Sequence, residues 1–185
     1  SRSKIDKKEL TAIAVNIGPG SFTGLRIGLS LAKSLAIALN IPVVGIPSDE
    51  ALAYLGELSD NYVATLIDAQ RNTYYYSLYR WQDGAPQQIS ATVVLPYTEI
   101  KTILAGLDRK VLTVGEYKTE LFEGGTNILT APQHLMLPRA TNLALAAQLR
   151  LSQGRSDSPY TLAVNYIKPS EAERVWLLKQ QTANK

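Results

Sequence analysis

The sequence predicts an α/β protein, and three features of the 185-residue chain support that prediction. Short apolar runs alternate with segments whose apolar residues recur every three or four positions, which is typical of strands followed by covering helices. A glycine-rich turn at residues 18–20 separates the first strand-like run from the first helical segment. After residue 60, three strand-like runs follow one another, which predicts a meander joined to the alternating elements.

The first predicted unit is a strand, a tight turn and a helix. Residues 12–15 are apolar and β-branched, which favours a short buried strand. Glycine and proline at residues 18–20 predict a sharp turn, because glycine reaches backbone angles closed to other residues and proline fixes its own φ. The apolar spacing from residue 25 to residue 40 predicts a helix, and Ser21 or Thr23 is its candidate N-cap.

A second strand and helix complete this block. Residues 42–46 predict a parallel strand that is reached by a right-handed crossover. Ser48 is predicted to cap a helix that continues to about residue 58. Asp49 and Glu50 occupy its first turn, where the positive end of the helix dipole favours acidic side chains. We therefore expect a β-α-β-α block that ends near residue 59.

The remainder of the chain predicts a meander and then a return to alternating elements. The predicted elements are strands at residues 62–67, 72–81 and 88–95, a helix at 98–107, a strand at 111–115 and a helix at 141–153. Asp83-Gly84 is a favoured hairpin turn between the second and third of these strands. Gly154 is the predicted C-terminal stop of the last of these helices.

This order of elements is typical of the ribonuclease-H-like unit found in the actin-like ATPase superfamily, which includes sugar kinases and heat-shock ATPases. We predict two lobes. Residues 1–59 would be the remaining half of a first lobe that is truncated at its N-terminus, and residues 60–185 would be a second lobe. A tail helix capped by Ser170 is predicted to close the second lobe.

Composition narrows the functional classes. A hydrophobic fraction of 45% and a charged fraction of 19% are ordinary for a globular protein. The absence of cysteine excludes disulfides and thiolate chemistry, and with His134 as the single histidine we predict no metal site. Arg26, Lys33 and Ser34 interrupt the longest apolar stretches, so no membrane span is predicted. We expect a cytoplasmic protein, since no secretory signal is visible.

The net charge of +3 permits weak attraction to RNA. No run of lysines and arginines marks a nucleic-acid patch, and no aromatic RNA-binding signature is visible. A stand-alone RNA-binding module is therefore the less favoured interpretation.

One row of small residues distinguishes the first predicted helix. Gly24, Gly28, Ala32 and Ala36 are spaced four apart and so lie on one helix face. Each glycine inside a helix costs about 1 kcal/mol relative to alanine, and close approach of another backbone would compensate for that cost. The spacing predicts either packing on the protein's own sheet or a docking face for a partner, and it does not choose between them.

The glycine-rich loop also invites a phosphate-binding interpretation. Its glycines are spaced G-x-G-x-x-x-G, one residue longer than the dinucleotide fingerprint, and the Lys-Ser/Thr pair of a P-loop is missing. Asp49 follows the next strand, where a ribose-binding acid would lie. We expect no bound cofactor and no catalytic residue at this loop.

Residues 18–28, which read GPGSFTGLRIG, closely resemble the signature of the TsaB (YeaZ) family. This family is the non-catalytic subunit of the bacterial machinery that makes threonylcarbamoyladenosine in tRNA. The signature-loop residues that carry the resemblance are Gly18, Pro19, Gly20, Ser21, Phe22, Thr23 and Arg26. In the family, this helix and a preceding helix that is absent from this sequence make the contact with the catalytic relative.

The resemblance implies a pseudo-enzyme that binds and positions a TsaD-type catalytic paralogue. It further implies that a TsaE-type ATPase joins the pair, that the same helix face can form a homodimer, and that tRNA is reached only through the complex. We expect helix-on-helix docking. The expected interface residues are Gly24, Leu25, Gly28, Leu29, Ala32, Lys33 and Ala36.

Three positions depart from the family pattern. The adenosine motif of the superfamily is represented by one glycine in residues 114–116, unless residues 124–125 serve instead, so ATP hydrolysis is not expected. The family's Asp-Ala-Arg hairpin is Asp68-Ala69-Gln70 here, with Arg71 one place late. Asp68 and Arg71 therefore form either a solvated turn or a functional charge pair. The closing Tyr-x-Arg is matched by residues 166–168 with lysine as the third residue.

A different functional class remains open from sequence. A nucleotide-dependent small-molecule kinase or ATPase would have the same fold, and it would require tight ATP binding by the isolated chain.

Overall fold

The structure is a computed structural model, and it describes residues 6–57, 60–118, 122, 125–132, 134 and 136–168. Its regular elements are β1 (Ile13–Gly18), α1 (Phe22–Leu39), β2 (Val43–Pro47), α2 (Ser48–Ala53), β3 (Tyr62–Asp68), β4 (Thr73–Gln82), β5 (Ala85–Pro96), α3 (Tyr97–Ala105), β6 (Val111–Gly115), β7 (Ile128–Thr130) and α4 (Ala140–Ser152). Short 3₁₀ turns occupy Lys7–Glu9 and Tyr54–Gly56.

The first sheet pairs β1 with β2 in parallel, and α1 makes the crossover between them. Ser21 is the N-cap of α1, since the Gly24 amide donates to Ser21 Oγ at 3.3 Å. Asn40 ends the helix in the left-handed conformation, with φ of 52°. The predicted β-α-β arrangement is confirmed.

The second sheet has the strand order β5-β4-β3-β6-β7. The predicted meander forms its antiparallel half, β3-β4-β5. On the other side, β6 pairs in parallel with β3, and β7 pairs in parallel with β6. The strand predicted at residues 111–115 coincides with β6. The three-residue strand β7 was not predicted, because a run this short has no detectable period.

Both faces of the second sheet are covered by apolar side chains. On one face, Ile100 and Leu104 of α3 pack with Leu66 and Tyr76. On the other face, Leu52 of α2 packs with neighbouring side chains of β3 and β6. This sheet therefore has an apolar core on each side.

The helices α2 and α4 join the two sheets. Ala146 and Ala147 of α4 pack with Val44 and Ile46 of β2. Asn142 Nδ2 donates to the backbone oxygen of Ala51 in α2 at 2.9 Å. The predicted division into lobes at residue 59 stays a prediction, since α2 contacts both sheets.

The helix after β2 differs from its prediction. It begins at Ser48 itself, with Pro47 as the N-cap residue, because Ser48 Oγ donates to Asn16 Oδ1 of β1 at 2.7 Å. It ends at Ala53 and continues only as the 3₁₀ turn. A Cβ on Gly56 would lie 2.1 Å from Val63 Cγ2, so the chain approaches β3 closely at this point. The predicted tail helix from Ser170 lies outside the described residues.

Among the described helices, α1 is long and apolar enough to cross a membrane by length and composition. The sequence predicts no membrane span, because Arg26, Lys33 and Ser34 interrupt the apolar stretches, and that stays a prediction. Core helices of soluble proteins share these properties. One face of α1 packs on β1 and β2.

Candidate protein-interaction surface on α1

The signature loop connects β1 to α1 in a tight conformation. Gly18 has φ of +102°, and its amide donates to Asn16 Oδ1 at 2.8 Å. A Cβ on Gly18 would lie 3.0 Å from Leu25 Cδ1 and 3.2 Å from the backbone oxygen of Asn165. Glycine is therefore required at Gly18 both by its backbone angle and by the space around it. Pro19 is buried in the same turn.

Phe22 and Arg26 of the signature form an aromatic cluster with Tyr166. The Arg26 guanidinium carbon lies 3.9 Å from the Phe22 ring centroid, and Arg26 Nε donates to the Tyr166 hydroxyl at 2.9 Å. The Phe22 and Tyr166 ring centroids are 5.6 Å apart. An exposed cation–π contact of this kind contributes about 0.5–1 kcal/mol. These two signature residues therefore bind a distant part of the same chain.

Tyr166 belongs to residues 157–168, which we call the C-terminal strap. The Asp157 amide donates to the Val43 oxygen at 2.9 Å, and the Asn165 amide donates to the Ile17 oxygen at 2.8 Å. Lys33 Nζ donates to the backbone oxygen of Leu162 at 3.0 Å. Lys33, which was expected to flank a docked partner, instead holds the strap against α1.

The inner face of α1 is formed by Leu29, Ala32 and Ala36, all of which are buried. They pack with Val15 of β1 and Val43 of β2. The expectation that these three residues lie in a partner interface is wrong, because their own sheet already covers them. Their small size serves the close approach of α1 to β1 and β2.

The other half of the small-residue row is accessible. Gly24 is exposed, and a Cβ built on Gly28 would meet nothing within 4 Å. Leu25 is half-buried beside Gly18. Thr23 is exposed and lies in the first turn of α1. Of the expected interface, Gly24 and Gly28 thus remain available to a second protein.

Several large apolar side chains of α1 are also exposed, and three of them form one row. They are Ile27, Leu31 and Leu35, with exposed fractions of 65%, 60% and 41%. We call them the outer stripe. Their spacing of four residues places them on one helix face. Sequence reasoning missed these residues, although they show the same spacing as the small-residue row. Large exposed apolar patches mark interaction sites in proteins.

A cleft of about 360 Å³ lies between the signature loop and the carboxyl ends of β3 and β6. Its walls include Leu25, Leu52, Ile67 and Leu137, and Glu116 is the only ionisable residue among its described lining residues. A nucleotide's phosphates require cationic or amide donors. The start of α1 brings backbone amides to this wall, but the described side chains of the cleft include no lysine, arginine or histidine, and their one ionisable group is a carboxylate.

The remaining candidate positions have structural partners. Gly115 has φ of +116°, and a Cβ there would lie 2.0 Å from the Leu66 oxygen, so close approach to β3 requires this glycine. Asp68 Oδ1 accepts from the Gln70 amide at 2.7 Å within the hairpin turn. Within the described residues there is no group of three or more side chains able to hold a metal ion, and His134 is exposed.

Comparison with known proteins identifies relatives along most of the chain. The family model for TsaD, tRNA N6-adenosine threonylcarbamoyltransferase, matches residues 1–103. The tRNA threonylcarbamoyladenosine biosynthesis protein TsaB of Bacillus subtilis is 33% identical over 182 residues, which are 94% of this chain and 76% of the relative. TsaB of Escherichia coli is 26% identical over 87% of this chain and 70% of its own length.

A solved structure, YeaZ from Pseudomonas aeruginosa, superimposes with a TM-score of 0.72 and 25% identity, and the match covers 88% of this chain and 76% of that chain. These matches confirm the ribonuclease-H-like, actin-like α/β fold. The resemblance carried by residues 18–28 is likewise confirmed along nearly the full sequence. The chain therefore belongs to the TsaB (YeaZ) family of tRNA threonylcarbamoyladenosine biosynthesis proteins.

Proposed function

We propose that this chain is the non-catalytic subunit of the complex that forms threonylcarbamoyladenosine in tRNA, and that it binds and positions the catalytic threonylcarbamoyltransferase relative. The observation that carries the proposal is the outer stripe of α1. Its three side chains are each at least 41% exposed. Burying a large apolar side chain in an interface yields about 1.5–3 kcal/mol, which favours a protein partner here.

Gly28 supports helix-on-helix docking beside the outer stripe. Because nothing lies within 4 Å of a Cβ built on Gly28, a partner backbone has room to approach α1 there. Small residues at such a point reduce the distance between two helix axes. The docking surface in this proposal is thus Gly24, Gly28 and the outer stripe.

The family match favours a partner with the same fold. A model built for the catalytic TsaD family matches residues 1–103, a range that includes α1. Two proteins of one fold can pair through equivalent helices in the manner of a two-fold symmetric dimer. A homodimer through the same surface is the competing assembly in the absence of the relative.

The non-catalytic part of the proposal is supported by the cleft. Its described walls are largely apolar and provide no cation for phosphates. We further propose that a TsaE-type ATPase joins the pair, that tRNA is bound only through the complex, and that the complex works in the cytoplasm. Titration calorimetry with ATP and magnesium distinguishes the alternative kinase or ATPase, which requires tight binding by the isolated chain.

The decisive experiment is co-purification with the catalytic relative. Leu31→Glu places a charge in the outer stripe, and Gly28→Leu fills the space needed by the partner backbone. We expect each variant to weaken capture at least about tenfold, equivalent to about 1.4 kcal/mol. Leu145→Glu, at a side chain of α4 that is 46% exposed, is the matched control and should leave capture unchanged.

Circular dichroism and urea denaturation would establish that the variants are folded. Unchanged capture by folded Leu31→Glu and Gly28→Leu proteins would refute the docking surface. The chain covers 76% of the Bacillus subtilis relative, so the test should be repeated in a form extended to the length of that relative. If an upstream segment of the same polypeptide occupies the stripe, Leu31→Glu would lower stability there without lowering capture.

A further inference from the structure

The apolar cleft beside the signature loop shares a wall with the docking surface. Gly24 and Gly28 of α1 line this cleft of about 360 Å³, and they are also members of the docking surface proposed above. Gly24, Ile27, Gly28 and Leu31 occupy positions i, i+3, i+4 and i+7 of the helix, so they form one continuous face. The cleft therefore borders the place where a partner helix would lie.

The other walls of the cleft are apolar and come from distant parts of the chain. Ile67 lies at the end of β3, while Leu137 and Pro138 lie in the loop before α4. Leu137 is 62% exposed although it faces an apolar cleft. A single exposed leucine is common in folded proteins, but here it lies with two accessible glycines around one cleft. Their combined surface is a candidate contact for a partner.

The cleft has room for one large side chain. An apolar cavity of about 150 Å³ is enough to hold a benzene ring, and this cleft is more than twice that size. Gly24 and Gly28 bring no side chain of their own into it, and a Cβ built on Gly28 would meet nothing within 4 Å. Large side chains that fill such pockets contribute most of the binding free energy in many interfaces.

One charge at the cleft defines a second property of the partner. Glu116, which follows β6 and is exposed, is the only ionisable residue among the described lining residues. The two charged residues of α1 bind the strap instead, since Arg26 donates to the Tyr166 hydroxyl and Lys33 donates to the Leu162 oxygen. Charge complementarity therefore favours a lysine or arginine on the partner, close to Glu116.

We infer that this cleft is the anchor pocket of the docking surface. A helix of the catalytic relative inserts one large apolar side chain between α1 and Leu137, and a lysine or arginine one turn away pairs with Glu116. Residues four apart lie on the same side of a helix, so one partner helix can supply both groups. The inference rests on the proposed function, which supplies the partner, and it follows the helix-in-groove mode of recognition.

The anchor pocket gives the docking surface a fixed register. The outer stripe is a row of three apolar side chains with the same spacing, so a partner helix could slide along it by one turn and find similar contacts. A pocket beside Gly24 and Gly28 accepts an anchor at one position only. The stripe thus contributes apolar area, while the pocket determines where the partner helix is held.

A fluorescent label tests whether the pocket is occupied. Because the chain has no cysteine, Leu137→Cys can be labelled with bimane at that position alone. We expect its emission to move to shorter wavelength when the catalytic relative is added, since the label loses contact with water. Leu129→Cys, at a side chain of β7 that is 40% exposed, is the matched control and should show no shift.

Leu137→Asp tests the apolar wall without a label, and it decides the question if the label itself blocks capture. It places a second carboxylate in the cleft, and we expect capture of the catalytic relative to weaken at least about tenfold. Stability should change little, because the side chain is exposed. Leu129→Asp is the matched control for capture, and urea denaturation establishes that both variants are folded.

Glu116→Lys tests the expected basic residue of the partner. We expect this variant to weaken capture, and we expect the loss to shrink as salt is raised, because exposed charges are screened. Asp108→Lys changes the net charge by the same amount at an exposed position outside the described cleft lining, and it should leave capture unchanged.

Leu31→Glu reports the docking surface itself, so the two possible failures differ. If Leu31→Glu lowers capture but Leu137→Asp and Glu116→Lys do not, docking stands and the anchor pocket is overturned. If none of the three lowers capture, the docking surface fails and the pocket fails with it.

Two outcomes of the fluorescence experiment also overturn the anchor pocket. Short-wavelength emission from labelled Leu137→Cys before any protein is added would assign the cleft to residues of the same chain. A shift that grows with the concentration of this chain alone would assign the cleft to a second copy.

Discussion

The inner and outer faces of α1 are both apolar, yet they have different contacts. Leu29, Ala32 and Ala36 on the inner face are buried against β1 and β2. The outer stripe has no comparable cover within the described structure, and its side chains are at least 41% exposed. The comparison shows that the row of four small residues is not one functional unit. Its last two members pack inside the protein, while Gly24 and Gly28 lie on the accessible side.

Truncation on the inner face provides the largest expected effect. Leu29→Ala removes buried methyl groups beside Val15 and Val43, and we expect the free energy of unfolding to fall by about 2–5 kcal/mol. Urea denaturation measures this change. Leu35→Ala, on the outer stripe, is the matched control and should cost much less. If the two variants were equally destabilised, the distinction between the faces would fail.

Enlarging a buried alanine should have the next largest effect. Ala36 is 1% exposed, so Ala36→Leu forces extra atoms between α1 and the first sheet. We expect a loss of about 1–3 kcal/mol in the free energy of unfolding. Ala38→Leu introduces the same side chain at an exposed position of the same helix and should be nearly neutral. Equal stability of Ala36→Leu and the parent chain would contradict the close packing described for α1.

A smaller effect of opposite sign is expected at Gly28. Gly28→Ala adds a methyl group where nothing lies within 4 Å, so the gain in helix propensity should stabilise the chain by about 1 kcal/mol. Gly45→Ala is the contrasting control, because a Cβ there would lie 2.7 Å from Leu162 Cδ1 and 2.8 Å from Ile17 Cγ2. Thermal and urea unfolding of both variants would check the difference in sign.

The smallest change in stability is expected on the outer stripe. Leu31→Glu replaces a side chain that is 60% exposed, and surface substitutions of this kind usually change stability by less than about 0.5 kcal/mol. Its effect should appear in capture of the catalytic relative instead. A loss of stability comparable with that of Leu29→Ala would show that the stripe is covered within its own polypeptide.

Local patterns predicted much of the fold. The strand at residues 111–115, the Ser21 cap and the parallel crossover all depend on nearby residues, and the structure contains them. Ser48 shows the limit of such reasoning. A serine before a helical segment is a typical cap, but its hydroxyl bonds Asn16, which is 32 residues away. No local rule reveals that choice.

The candidate site was predictable only in part. The spacing of Gly24, Gly28, Ala32 and Ala36 indicated a close approach, but only the position of β1 and β2 decides which members are covered. Asp49, a buried carboxylate of α2, illustrates the same point. Its partners Ser77 and Thr92 are 28 and 43 residues away, so their convergence on one carboxylate follows from the pairing of β4 with β5.

The C-terminal strap has a consequence for the order in which the protein folds during synthesis. Arg26 and Tyr166 are 140 positions apart, and the strap also bonds β1 and β2. The ribosome therefore makes β1, α1 and β2 well before it makes the strap that completes their hydrogen bonds. Contacts between such distant residues form late and slowly. The first strands and α1 would thus be exposed to chaperones until the strap emerges.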